Sequence, residues 1–176
     1  MTSRNIFVIS DTHFGHRNMY NFMENDGFHC RHDANMNGRI MEETDELMIE
    51  NWNATVRDND IIYHCGDVFF GEGHKHLHRL RGRKRLIVGN HDDAKNAKLQ
   101  AVFEKIMVWR MFPEWKVVLT HVPIHESALE HKVTHNIHGH IHRKPDVSPK
   151  HINVSVEKMD YKPVSIEDLI KRYNIK

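Results

Sequence analysis

Asn5-Ile-Phe-Val-Ile-Ser10 runs straight into Asp11-Thr-His13-Phe-Gly15-His16, a short β-branched and aromatic run followed by an abrupt switch to carboxylate and imidazole side chains. Consecutive apolar positions suit a strand buried on both faces, and the switch marks where the chain leaves the sheet for a loop. The same grammar recurs three times. Ile61-Ile-Tyr-His-Cys65 runs into Gly66-Asp67, Arg85-Leu-Ile-Val88 into Gly89-Asn-His-Asp92, and Lys116-Val-Val-Leu-Thr120 into His121. Between the first two runs, from Asn35 onward, Met36, Ile40, Leu47, Met48, Trp52 and Val56 follow three- and four-residue steps with acidic residues between them. That pattern predicts an amphipathic helix of crossover length. Shorter helices are predicted around His74 to Leu80 and after Asp93, so strand and helix alternate as in a largely parallel sheet. Beyond residue 100 the pattern changes: Glu104 to Phe112, Lys116 to Thr120, Thr134 to His138 and His151 to Val156 are predicted strands with little helix between them, forming a second, more antiparallel sheet. Ser165, with Asp168 three residues on, predicts a helix start, and Lys171 with Arg172 suits its C-terminus. The expectation is an α/β chain, one domain over residues 1–176, with two layers of sheet.

Composition narrows the function classes. Of 176 residues 17 are histidine, while Lys plus Arg (25) nearly balances Asp plus Glu (24) for a formal charge of +1. Global electrostatics therefore supplies no argument for nucleic-acid or membrane binding, and any basic partner surface must be local. No apolar run approaches the roughly 20 residues of a membrane-spanning helix, and Met1-Thr-Ser-Arg-Asn lacks a signal-peptide core, so a cytoplasmic location without membrane association is expected. Cys30 and Cys65 have no CxxC spacing, which argues against a disulfide framework or a Cys-rich zinc site.

Strand ends gather side chains from distant parts of a chain, so Asp11, His13, Asp67, Asn90, His121, His140 and His142 can meet. Two carboxylates, four imidazoles and one amide oxygen serve two divalent ions if one carboxylate bridges. Two dications and two aspartates leave a surplus of roughly +2, the electrostatic condition for drawing in a phosphate ester. The chemistry expected of such a site is phosphoryl transfer.

Asp11-x-His13, Gly66-Asp67, Gly89-Asn90-His91-Asp92, His121 and Gly139-His140-x-His142 resemble, in order, the motifs of the calcineurin-like metallophosphoesterase family. Each block alone is weak, but five in the family's order form a strong joint signal. The resemblance spans residues 6 to 142, continues loosely through Asn153 to Ile170, and is nearest to the short single-domain type of bacteria and phages. It implies a four-layer α-β-β-α sandwich, two packed mixed sheets flanked by helices. It further implies that Asp11, His13 and His142 hold one metal, that Asn90, His121 and His140 hold the other, and that Asp67 bridges. His91, left unligated, would stabilise the developing charge and protonate the departing oxygen. The nucleophile would be hydroxide held between the metals. Manganese is the expected activator in vitro, with iron, zinc, nickel and cobalt open.

Several neighbours carry weaker signals. His16 and Arg17, just past the first motif, and His125, four residues after His121, either touch the substrate phosphate or fix their loops. Asp92 either orients His91 or a ligand, or is a simple loop carboxylate. The stretch Lys75 to Arg85 offers a nucleic-acid track but has no interleaved aromatics, so a solvated helix end is favoured. His29-Cys30-Arg31-His32 suits a loop shaping the substrate entrance, Cys65 suits packing, and Trp52, Trp109 and Trp115 suit core or sheet-face positions. The favoured reaction is hydrolysis of nucleotides or other small phosphodiesters. A phosphomonoesterase, a nuclease and an inactive binding scaffold of the same fold are the alternatives, and oligomeric state is left open.

Overall fold

In chain order the strands are β1 (Ile6–Ile9), β2 (Ile61–His64), β3 (Arg83–Ile87), β4 (Lys105–Met107), β5 (Arg110–Phe112), β6 (Val117–Leu119), β7 (His135–His138), β8 (His151–Asn153) and β9 (Val164–Ser165), with helices α1 (Met41–Thr55), α2 (Ala97–Gln100) and α3 (Ile166–Arg172). These come from a computed structural model that describes residues 5–20 and 41–176. The His29-Cys30-Arg31-His32 cluster, and Met36 and Ile40 of the predicted helix, lie outside the described residues.

The strands form two mixed sheets, β4-β3-β2-β1-β9 and β5-β6-β7-β8. In the first, β1 to β4 are parallel and β9 is antiparallel to β1. Both faces of this sheet are covered, which is why its strands read as continuous apolar runs. Phe7, Ile9, Ile62 and Leu86 pack with Met48, Ile49 and Trp52 of α1, while Val8, Tyr63 and Ile87 on the opposite face meet Val117, Leu119, Ile137 and Ile152 of the second sheet.

Two expectations need correction. The second sheet is not mainly antiparallel: only the β5–β6 pair is, and β6, β7 and β8 run parallel. The run Glu104 to Phe112 is not one strand; it splits at Val108 and Trp109 into β4, which joins the first sheet, and β5, which begins the second. Side-chain periodicity carries no mark of a strand that changes sheets without a turn residue. The segment around His74 to Leu80 is a 3₁₀ helix, Gly71–Arg79, and the helix after Asp93 is the short α2.

The outer face of the second sheet differs from the flanked sandwich as well. Among the described residues it meets no α-helix; Val118 packs there against Leu129 and Val133, with Met111 and Ile124 alongside. The β6–β7 connection that covers it carries only the 3₁₀ turn Glu126–Ala128, and its Val122-Pro123 step disfavours helical backbone. Meanwhile α3 joins the intersheet core through Ile166 and Leu169. The described layers are thus helix, sheet, sheet and loop.

His64 is buried at the end of β2 with both ring nitrogens used. Thr12 Oγ1 donates to Val68 O at 2.8 Å, so His64 Nε2–H donates to Thr12 Oγ1 at 2.9 Å, and His64 Nδ1 accepts from Gly66 N at 3.2 Å. Burial pushes this imidazole down from 6.5 to about 4. Unfolded chains bind the proton first, so this contribution to stability is complete above about pH 6.5 and is lost as pH falls toward 4, on the order of 3 kcal/mol. Chemical denaturation in EDTA should show this acid limb, and His64→Gln should make it shallower while the part from His138, likewise pushed down by burial to about 4, remains; an equal slope in both proteins would count against the assignment.

Candidate metal centre

Parallel strands bring their C-terminal ends to one rim, and the backbone extends that pairing beyond the strands themselves. Asp11 N donates to Gly66 O at 3.0 Å, His13 N to Asp67 O at 3.1 Å, and Gly139 N to His121 O at 2.9 Å. The loops after β1, β2, β3, β6 and β7 thereby deliver all seven donors named from the sequence to one place.

Asp11, His13 and His142 each offer a ligand atom within 4.8 Å of one another, and so do Asp11, Asp67 and His121. Donors about 2.0–2.2 Å from a common ion stand roughly 3–4.4 Å apart, so these spacings suit divalent cations. Asp67 Oδ2 lies 3.7 Å from His13 Nε2 and 3.5 Å from His121 Nε2, between the two histidine sets. Asn90 Oδ1 is 2.8 Å from His121 Nε2 and 2.9 Å from His140 Nδ1, which completes the second set.

The hydrogen bonds around this cluster leave lone pairs facing inward. His121 Nδ1–H donates to the Cys65 carbonyl at 2.8 Å, so in the neutral ring Nε2 presents a lone pair to Asn90 Oδ1 and Asp67 Oδ2. His142 Nδ1 faces Glu157 Oε2 at 3.2 Å, and its Nε2 stands 4.0 Å from Asp11 Oδ1. Fixing one ring nitrogen on an oxygen so that the other points inward is how proteins set imidazoles for metal ligation. Acceptors that converge in this way call for a cation or a proton. His121 is accordingly shifted up: burial opposes its charge, but the Asp67 and Asp11 carboxylates outweigh it. Burial pushes Asp11 up too, and the imidazoles of His13, His142 and His121 reverse this and hold it below the usual carboxylate range. Asp67 behaves likewise through His121 and the His91 N–H, against repulsion from Asp11.

Backbone conformation marks the same residues. Among the described residues ten non-glycine positions have positive φ, and Asp11, His13, Asp67, His140 and His142 are five of them, at 58°, 45°, 58°, 70° and 50°. Each costs on the order of 1 kcal/mol, and such strain collects where function dictates side-chain direction. Two motif glycines have steric rather than conformational reasons. A Cβ on Gly139 would collide with Ser10 Oγ and Asp11 Oδ2, and one on Gly89 with Asp67 Oδ1 and the Asp67 backbone N.

Asp92 resolves between the two roles left open for it. Its Oδ2 accepts from Asp67 N and Gly89 N, each at 2.8 Å, and its Oδ1 from Val68 N at 3.0 Å. It fastens the two ligand loops together through their backbone. His91 is exposed beside the cluster, its ring 6.0 Å from that of His13, and its backbone N–H donates to Asp67 Oδ1 at 2.9 Å. His16 stacks on Phe70 at 3.9 Å between ring centroids, next to His13, which fits a part in fixing the loop. Arg17 is exposed and shares a separate cleft with Glu42, Asp45 and Glu46. His125 caps the turn Glu126–Ala128, accepting from Ser127 N. Neither position gives Arg17 or His125 a visible hold on a phosphate.

Sequence reasoning missed Glu157 and Ser155, which accompany His142 and Asp11; Ser155 Oγ donates to Asp11 Oδ2 at 2.9 Å. The one available signal was their place just after the strand at 151–153. The cations of the basic stretch are already engaged: Arg79 with Glu46, Lys75 with Glu72, Arg83 with Glu104, Arg81 near Asp58, Lys84 on backbone carbonyls and Arg85 on Tyr63. Cys65 is buried in the intersheet core, with its thiol pushed up by burial. Among the described residues no helix is long and apolar enough to cross a membrane.

No protein-family model matches the chain. It is 33% identical over 182 residues to the uncharacterized protein MJ1445 of Methanocaldococcus jannaschii, an alignment that covers 97% of this chain and 92% of that one. The chain belongs to the family of that archaeal protein. The Gene 66 protein of Mycobacterium phage L5 is 30% identical over 94 residues, 50% of this chain and 40% of the phage protein. Among solved structures, the crystal structure of AQ665, a protein of unknown function from Aquifex aeolicus, superposes with a TM-score of 0.72 at 27% identity, covering 97% of this chain and 100% of that one. None of these names carries an activity.

Proposed function

We propose that this protein is a binuclear-metal phosphoesterase of the calcineurin-like metallophosphoesterase type, acting on nucleotides or other small phosphodiesters. The observation that carries this reading is the inward-facing acceptor set, two buried carboxylates with imidazole and amide donors, five of the seven held on left-handed backbone. Asp11, His13 and His142 would hold one ion, Asn90, His121 and His140 the other, and Asp67 both. When bound, such ions supply Lewis acidity toward a phosphoryl oxygen and lower the pKa of coordinated water to about 7. With two such ions bound, Asp11 and Asp67 would leave net positive charge at the rim, where a phosphate ester would be drawn in. His91, exposed beside His13 and tethered by its backbone to Asp67, would hand a proton to the departing oxygen. Arg17 shares its cleft with carboxylates, and a diester monoanion needs less cationic help than a monoester dianion, which favours diesters.

The direct test is hydrolysis of bis(p-nitrophenyl) phosphate by purified protein with manganese and with EDTA, beside the mono ester and a metal count on the same preparation. The expected result is two ions per chain, manganese-dependent turnover and preference for the diester. Absence of turnover with every divalent metal would overturn the proposal, and preference for the mono ester would overturn its substrate class. His91→Ala is expected to keep its metals and lose about 10²- to 10⁴-fold in turnover; undiminished turnover where chemistry limits the rate would remove His91 from the role.

A further inference from the structure

We propose that the apolar cleft beside Asn90 and His121 receives the organic substituent of the phosphate ester, so that the preferred substrates carry a planar aromatic or similarly apolar group; this rests on the phosphoesterase reading above. The cleft encloses about 530 Å³, and its walls include Val88, Trp109, Met111, Val118, Val122 and Ile124. Asn90 and His121 form part of the same wall. The cleft therefore adjoins the candidate metal centre, and a group esterified to a phosphate held there can enter it. The volume falls in the range of small-molecule sites, about 300–1,000 Å³.

The cleft follows from the fold. The chain passes between sheets at Val108 and Trp109, and the outer face of the second sheet carries a loop in place of a helix, so Met111 and Val118 are left beside a concavity. Among the described residues, three of the four exposed large hydrophobics border it: Val108 at 73%, Trp109 at 53% and Val122 at 45% exposure. Trp109 is thus not the core or sheet-face residue expected from the sequence. Apolar side chains are exposed together at a cost, and beside a reactive centre the natural beneficiary is an apolar ligand.

The lining also says what the cleft does not select. Among the described residues it includes no Lys, Arg, Asp or Glu side chain to pair with a second charged group. Its hydroxyl is occupied, since Thr120 Oγ1 donates to Val122 O at 2.6 Å and accepts from Asn136 Nδ2 at 2.9 Å, and Asn90 turns its Oδ1 toward His121 and His140 at the metal-centre end. Selection is therefore by shape and apolar contact, with the Trp109 indole as a stacking surface for a ring.

The test holds the leaving group constant. Manganese-loaded protein is given phenyl p-nitrophenyl phosphate and methyl p-nitrophenyl phosphate, and the ratio of their kcat/KM values is compared among wild type, Trp109→Ala and Trp109→Phe. The ratio in wild type should exceed that in Trp109→Ala by about tenfold, and Trp109→Phe should retain most of it. Val147→Ala, an exposed valine outside the cleft lining, should match wild type. Equal ratios and equal kcat/KM values for both esters in wild type and Trp109→Ala would overturn the cleft assignment and leave the phosphoesterase reading standing, whereas an equal loss for both esters would place the nitrophenyl ring they share in the cleft. Equilibrium dialysis of diphenyl phosphate against dimethyl phosphate separates the opposite case. Binding of the diphenyl ester alone, weakened about tenfold by Trp109→Ala in protein that hydrolyses nothing, would support the cleft and overturn the activity. A dimer in sedimentation that Trp109→Ala converts to monomer would make the cleft an interface between copies and overturn the proposal.

Discussion

Asp67→Asn is expected to reduce manganese binding from two ions to at most one and to lower diester turnover by at least about 10³-fold, because it removes the charge that lies between the two histidine sets. The substitution separates metal binding from folding. Asparagine keeps an oxygen where Asp67 Oδ1 accepts the His91 N–H, and loss of attraction to His121 is offset by release from Asp11. In EDTA the variant should therefore melt within a few degrees of wild type. In excess manganese wild type should gain about 10–20 °C, from roughly 2.7 kcal/mol at each of two sites at hundredfold saturation, while the variant, with at most one ion, gains at most about half of that. Two tightly bound ions and normal turnover in Asp67→Asn would remove the bridging role.

The second large effect is expected at a residue that holds no metal. Asp92→Ala leaves the N–H groups of Asp67, Val68 and Gly89 without their acceptor, at the two turns that carry Asp67 and Asn90. An unsatisfied buried donor costs about 1–3 kcal/mol; because this site is only partly buried, a total of about 3 kcal/mol is expected, or a fall of roughly 6–12 °C in Tm. Manganese affinity should fall about 10- to 100-fold through loss of ligand placement. Asp92→Asn, which keeps one oxygen, should lie between. Thermal melts in EDTA and manganese titration check both statements, and wild-type values for Asp92→Ala in the two measurements would return Asp92 to the status of a simple loop carboxylate.

Five members of the donor set were legible because they follow apolar runs, and His140 and His142 because they stand in an ordered Gly-His-x-His block; a chain that places metal-capable residues directly after strands states where they gather. Gly89 and Gly139 stand in those same blocks, yet their reason is visible only in space, where Asp67 and Asp11 occupy the volume a side chain would need. Glu157 and Ser155 escaped notice since a hydrogen-bonding partner carries no spacing of its own; each is defined by the ligand it touches. Asp92 could be seen but not assigned, as its acceptors serve backbone groups of a loop 25 residues away.

From the residues alone came the α/β class, the β1 to β3 strands with the helix behind them, and the seven donors, all properties written in local order: runs, steps and abrupt changes of polarity. Tertiary structure alone decided that Lys105–Met107 and Arg110–Phe112 belong to different sheets, that the second sheet is largely parallel, and that its outer face lies under a loop beside an apolar cleft. Pairing partners and uncovered faces are set by which distant segments win the competition to bury a surface, and no window of sequence contains both contestants.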